Sequence, residues 1–150
     1  MKRFLSLILS FGLVFFTCSS KAQIGDVVAW SFDANRDREH YEVLITADML
    51  QEGWHFWTTD LQSEMLIPTR ITFDIISGQE LLGDMIVEGT RTEREDEIFG
   101  PVSYYEGEQV LFRQKVKAKP GSKISGNILF QACNASTCLP PRTIPFSIEL

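Results

Sequence analysis

The sequence has 150 residues, of which 44% are hydrophobic, 20 are acidic and 14 are basic, and its net charge is −6. This length suits one domain with a core of its own. An acidic chain argues against nucleic acid or an anionic membrane surface as a partner.

The first 22 residues have the organisation of an export signal. Lys2 and Arg3 form a charged start, residues 4–16 are mostly apolar, and Ser20-Lys21-Ala22 offers a cleavage site between small residues. The apolar run is too short to span a bilayer. We therefore expect a signal peptide at 1–22 and one exported domain, periplasmic or otherwise outside the cytoplasm, at 23–150.

Cleavage after residue 22 leaves the mature domain with one pair of cysteines, Cys133 and Cys138. Lipidation at Cys18 is the alternative, and the bulky residues before Cys18 disfavour it. Removing 1–22 takes away three basic side chains and no acid, so 11 basic and 20 acidic side chains remain and the net charge becomes −9. Outside the cytoplasm, disulfide chemistry is possible.

Strand signals dominate the rest of the chain, and no helical periodicity is convincing. About seven to nine short strands separated by turn residues predict an all-β fold, an antiparallel β-sandwich of immunoglobulin-like type. The strands are predicted at 27–32, 41–47, 54–57, 69–75, 80–88, 110–116, 124–132 and 143–150. The alternation predicts a core that includes Tyr41, Val43, Ile45, Val110, Phe112 and Val116.

The strand pattern stops between residues 88 and 108. The charged residues 91–95 are typical of a solvated loop. Ile98 and Phe99 are two large apolar residues that precede Gly-Pro, so this segment either folds back over another part of the molecule or closes one end of the core.

The cysteine pair is predicted at the tip of a β-hairpin, with four small or polar residues between Cys133 and Cys138. Pro140 and Pro141 cannot continue a strand ladder, so we expect the Cys138 end to be stiff and unpaired. A disulfide around so small a loop contributes only about 2 kcal/mol by loop closure. From the residues alone, a redox-active pair and a structural disulfide both stay open.

Three stretches in register resemble the N-terminal periplasmic domain of the thiol:disulfide interchange protein DsbD. The stretch 130–133, Phe-Gln-Ala-Cys, and the stretch 138–141, Cys-Leu-Pro-Pro, resemble its active-site hairpin. Residues 52–57 resemble a Gly-aromatic strand of that family, and residues 95–100 resemble its cap loop. The resemblance covers essentially all of 23–150.

The resemblance implies an immunoglobulin-like domain that passes electrons by thiol–disulfide exchange. Cys138 would form the mixed disulfide with a partner and Cys133 would resolve it. The cap loop would consist of Asp96, Glu97, Ile98 and Phe99. The pocket would be lined by His55 and Trp57. The partners would be thioredoxin-like proteins or domains supplied by a membrane electron transporter system.

The sequence departs from the family pattern in two places and ends early. Some relatives have five residues between the cysteines, and the cap position that is often Phe is Ile98 here, followed by Phe99. Because the sequence ends at Leu150, before any membrane segment or thioredoxin-like domain, we expect the electron donor to be a separate protein. We expect a monomer.

A second class of function stays open, a non-catalytic β-sandwich module that binds, for example, carbohydrate. In that interpretation the disulfide is structural, and the stacking platforms are exposed Trp54, Trp57, Tyr104 and Tyr105. We expect no cofactor. We also expect no metal site, because only His40 and His55 could join the cysteines and the cysteine spacing is loose.

Overall fold

The computed structural model describes residues 26–150, and the predicted signal peptide and Cys18 lie outside this range. All regular elements in this range are β-strands, and it contains no helix of the length and apolarity needed to cross a membrane. The strands are β1 (Val28–Asp37), β2 (His40–Met49), β3 (His55–Trp57), β4 (Arg70–Phe73), β5 (Glu80–Asp96), β6 (Gly100–Lys117), β7 (Lys123–Phe130), β8 (Ala132–Cys133) and β9 (Arg142–Glu149).

The strands form two sheets, and every pairing within them is antiparallel. The larger sheet has the order β1-β2-β6-β3-β8, with β5 beside β6, and the smaller sheet has the order β4-β7-β9. The long strand β6 is central, because β5 lies on one side of it and β2 and β3 share the other. The predicted antiparallel β-sandwich is confirmed.

The main core lies between the two sheets. Strand alternation turns one face of each strand inward, and all six residues that the sequence assigned to the core are buried. The ring of Trp30 lies within 6.1 Å of the rings of Phe56, Phe112 and Phe130, measured between centroids. These aromatic contacts join strands β1, β3 and β6 to β7 across the sandwich.

Gly126 shows how closely the smaller sheet is packed. A Cβ atom at this position would lie 2.0 Å from the carbonyl oxygen of Thr72 and 2.6 Å from the ring of Phe146. No side chain fits there, so the sequence has glycine inside a strand, where this residue otherwise weakens pairing.

The prediction that residues 91–95 form a solvated loop is wrong. Strands β5 and β6 form one long hairpin, and residues 90–96 pair with 100–106. Two register shifts in β5, between Leu82 and Ile86 and between Glu88 and Thr90, interrupt the period of two. Beyond them β5 is an edge strand whose side chains are mostly solvated, so backbone pairing continues without an apolar pattern.

Phe112→Ala should lower the free energy of unfolding by about 3–5 kcal/mol, because it empties a fully buried site in the main core. Chemical denaturation of both proteins measures the difference. Lys115→Ala is the matched control, since Lys115 is exposed on the same strand, and it should change stability by less than about 0.5 kcal/mol. A cost below about 1 kcal/mol for Phe112→Ala would contradict this packing.

Candidate functional site

Cys133 reaches its position because the chain changes sheets next to it. Strand β7 ends at Phe130 in the smaller sheet, and Ala132–Cys133 pairs with β3 in the larger one. The predicted single strand 124–132 is therefore split at Gln131. Alternation places Ala132 in the main core and turns Cys133 to the opposite face of the larger sheet.

A tight turn joins the two cysteines. The Asn134 side-chain Oδ1 accepts hydrogen bonds from the backbone N–H of Ser136 and of Thr137, both at 2.9 Å. The Asn134 N–H donates to the carbonyl of Thr137 at 2.9 Å. Asn is favoured in such turns because its short side chain replaces backbone hydrogen bonds.

The pairing continues one residue beyond Cys138. Cys133 and Cys138 form an isolated antiparallel bridge, and the Leu139 N–H donates to the carbonyl of Ala132 at 2.8 Å. The prediction that the Cys138 end is unpaired is therefore wrong, because this ladder stops only where Pro140 and Pro141 remove the donors.

Cys133 and Cys138 are joined by a disulfide, with a Cα–Cα distance of 4.0 Å. Their environments differ sharply, since Cys133 is only 1% exposed whereas Cys138 lies at the surface. A nucleophile that arrives from solvent therefore meets Cys138 first.

Cys133 belongs to a second apolar cluster, on the face of the larger sheet that points away from the smaller one. This outer cluster consists of Trp57, Leu61, Leu66, Val102, Tyr104 and Cys133, with Phe99 packed against it. Trp57 and Tyr104 are direct partners on β3 and β6, and their neighbours Phe56 and Tyr105 turn into the main core. The segment between β3 and β4 contributes Leu61 and Leu66.

The four residues predicted as the cap form the tip of the β5–β6 hairpin. The Asp96 carboxylate accepts hydrogen bonds from the N–H of Ile98 at 2.9 Å and of Phe99 at 3.1 Å, and these bonds lower the pKa of Asp96. Gly100 closes the turn with a φ of +72°, a conformation that favours glycine. Phe99 packs against the outer cluster, whereas Ile98 is 74% exposed and Glu97 is also exposed.

His55 is the direct cross-strand partner of Cys133. Its ring packs against that of Tyr104 at 4.2 Å with a tilt of 36°, and forms an edge-to-face contact with Trp57 at 5.2 Å, between centroids. Burial lowers the pKa of His55, the positive charge of Arg94 lowers it further, and Glu106 acts in the opposite direction.

The predictions from the sequence did not include Tyr104 and Arg94 in this site. The guanidinium carbon of Arg94 lies 5.8 Å from the centroid of the Tyr104 ring. The same Tyr104 ring packs against His55. The available signal is the largely apolar run 102–105, which is typical of a strand buried on both faces, and all four of these residues are buried.

The proposed stacking platforms of a carbohydrate-binding module are not formed. Trp57, Tyr104 and Tyr105 are all buried, and Trp54 is half-buried against the main core. Within residues 26–150 no group of three or more His, Cys, Asp or Glu side chains is arranged to hold a metal ion.

The fold of this chain is similar to those of two N-terminal domains of known structure. One is the N-terminal domain of DsbD from Neisseria meningitidis in the reduced form, with a TM-score of 0.53, 16% identity, and coverage of 81% of this chain and 85% of that one. The chain has the fold of the DsbD N-terminal domain. The sandwich is therefore of the immunoglobulin-like type expected from the sequence.

The other is the N-terminal periplasmic domain of ScsB from Proteus mirabilis, with a TM-score of 0.59 and 14% identity. That match covers 83% of this chain. It covers 47% of the ScsB chain, so this chain spans about half the length of that protein. No model of a protein family matches the sequence, and neither does any curated protein. The likeness to DsbD and ScsB at these identities is one of fold.

Phe99→Ala should make the Cys133 thiol more accessible, because Phe99 packs on the cluster that contains it. The measurement is the rate of alkylation of Cys133 by iodoacetamide in a reduced Cys138→Ser background, expected to rise about tenfold or more, as for a site freed from burial. Ile98→Ala is the matched control and should leave the rate unchanged, since Ile98 is exposed.

The Phe112→Ala substitution, made in the same background, separates local uncovering from general loss of stability. It weakens the main core without touching the outer cluster. An equal acceleration by Phe112→Ala and Phe99→Ala would show that Phe99 does not act as a cover.

Proposed function

We propose that the chain is an exported thiol–disulfide exchange domain that transfers electrons to or from thioredoxin-like partners through Cys133 and Cys138. The observation that carries this proposal is the asymmetry of the disulfide, one cysteine exposed and the other buried, in the fold of the DsbD N-terminal domain. A pair with a single accessible sulfur suits ordered exchange.

In this function each cysteine has a separate role. A partner thiolate attacks the exposed Cys138, a mixed disulfide forms, and Cys133 leaves as a thiolate held in the outer cluster. In the opposite direction Cys138 attacks a partner disulfide, and Cys133 then resolves the mixed disulfide. Exchange requires access to the attacked sulfur, which Cys138 provides.

The cap residues have a role that follows from their position. Phe99 limits access to the buried sulfur from the β5–β6 side, while Asp96 holds the turn that presents Phe99. The hairpin tip contacts the outer cluster through the Phe99 side chain, so a docking partner displaces the tip by replacing this apolar contact. His55 and Trp57 line the same face.

The proposed setting is the periplasm or another space outside the cytoplasm. Both structural neighbours are N-terminal domains, and the ScsB domain is described as periplasmic. The predicted export signal is consistent with this location, and electrons would come from a membrane electron transporter system through a thioredoxin-like donor.

The reduced Cys133→Ala variant should form a stable mixed disulfide with a thioredoxin variant that has one cysteine, activated by thionitrobenzoate. Release of the coloured thionitrobenzoate and the mass of the complex measure the reaction. Cys138→Ala should react at least tenfold more slowly, because its remaining thiol is buried. If Cys138→Ala is the faster variant, the two roles are reversed.

The reduction potential of the Cys133–Cys138 pair tests whether the bridge takes part in exchange at all. We expect a value above about −300 mV, in the range of thioredoxin-like proteins, whereas structural disulfides of exported proteins lie below it. Equilibration with glutathione or dithiothreitol buffers, followed by alkylation and mass spectrometry, gives the potential. A value well below −300 mV would assign the bridge to stability alone.

A further inference from the structure

We propose that His55 accepts the proton of the Cys133 thiol when Cys133 resolves a mixed disulfide on Cys138. This inference rests on the proposed function, because it assigns a residue to its second step. It concerns the buried Cys133. The exposure of Cys138 explains how the mixed disulfide forms, but not how the buried thiol becomes reactive.

The geometry puts an imidazole beside Cys133. His55 and Cys133 are direct partners in the β3–β8 pairing, so their side chains share one face of the sheet. Side chains of directly opposite residues have Cβ atoms about 4.5–5.5 Å apart. The tilted contact of the His55 ring with Tyr104 and its edge-to-face contact with Trp57 restrict the ring to this place.

Cys133 needs such a base. Only the thiolate is nucleophilic, and a thiol in apolar surroundings has a raised pKa. Cys133 is 1% exposed within the outer cluster, so water has little access to take its proton. A neighbouring group that accepts the proton removes this obstacle.

The charges around His55 favour its neutral form. The groups that face it are Arg94 on β5, Tyr104 and Glu106 on β6, and Cys133 on β8. Burial and Arg94 lower its pKa more than Glu106 raises it. Glu106 also accepts a hydrogen bond from the Thr92 hydroxyl. His55 is therefore unprotonated near pH 7 and able to accept a proton.

The step balances with a small disulfide as the oxidant. The Cys138 thiol loses its proton to the solvent, and the resulting thiolate attacks one sulfur of the disulfide. A mixed disulfide forms, and the first small thiolate leaves and takes a proton from the solvent. Cys133 then gives its proton to His55, and its sulfur bonds to the Cys138 sulfur. The bond to the second small thiol breaks, and that thiol leaves with the electron pair and takes the proton from His55. The protein loses two electrons, and the disulfide becomes two thiols.

The test follows the reaction of reduced protein with oxidised glutathione by acid quenching and mass spectrometry. His55→Gln and His55→Phe both remove the base, and Phe retains a ring that can pack against Tyr104. In both variants the glutathionylated protein should accumulate, because resolution at pH 7 is slowed on the order of 100-fold, the lower end for general base catalysis. Formation of the mixed disulfide should stay unchanged, since it uses Cys138.

The pH dependence gives a second readout that a merely structural role would not produce. Proton transfer within the Cys133–His55 pair does not change the total number of bound protons, so wild-type resolution should be nearly constant from pH 6.5 to 7.5. In the variants, resolution should rise about tenfold per pH unit until the Cys133 thiol ionises. The two profiles should converge at high pH.

His40→Gln is the matched control, because His40 pairs with Asp37 at the β1–β2 turn with an N–O distance of 3.1 Å. It should behave as the wild type. Wild-type rates and pH profile in either folded His55 variant would overturn the inference while leaving the proposed function intact. Reduced wild-type protein that oxidised glutathione does not convert to the Cys133–Cys138 disulfide would instead overturn the proposed function and, with it, this inference.

Discussion

The pairing of Ala132–Cys133 with His55–Phe56 is the constraint on which the site depends. Strand alternation requires that two consecutive residues face opposite sides of the sheet. Ala132 fills the main core, so Cys133 must point into the outer cluster, and the turn that follows brings Cys138 back to it at the surface. The asymmetry of the disulfide is thus a consequence of where β8 joins the larger sheet. Strand β3 is itself held by the Thr69 hydroxyl, which donates to the carbonyl of Trp57 at 2.6 Å.

Strand β6 connects stability with the site. Its C-terminal half pairs with β2 and supplies Val110, Phe112 and Val116 to the main core. Its N-terminal half pairs with β3 and supplies Val102 and Tyr104 to the outer cluster. One continuous strand therefore aligns the cluster around Cys133 with the rigid interior of the sandwich. A site built on strands is held more firmly than one built on loops.

The tip of the β5–β6 hairpin, which carries Phe99, lies beyond the residues of β6 that pair with β3. Arg91 forms ion pairs with Asp60 at 2.9 Å and with Glu93 at 2.8 Å, but these pairs are exposed to solvent. Exposed pairs contribute at most about 1 kcal/mol each and weaken with salt. Phe99 packs against the outer cluster and not the main core, so the tip can move without disturbing the main core. This combination of a firm site and a loosely held cover suits a sulfur that must be reached by chosen partners.

The sequence by itself determined the β-sandwich, the inward faces of 41–47 and 110–116, and the cysteine pair at a turn, because a period of two and turn residues are local properties of the chain. It did not reveal the strands at 91–95 and 101–106. In β5, edge pairing leaves no apolar pattern and register shifts break the period of two. In β6, residues 102–105 are buried on both faces of the sheet and therefore show no alternation of apolar and polar residues. It also identified Ile98 and Phe99 without separating them. Only the tertiary structure decided that Phe99 packs against the outer cluster, that the chain passes from the smaller sheet to the larger one between β7 and β8, and that His55 lies opposite Cys133. Each of these depends on which distant strand becomes the neighbour, and a short segment cannot encode that alone.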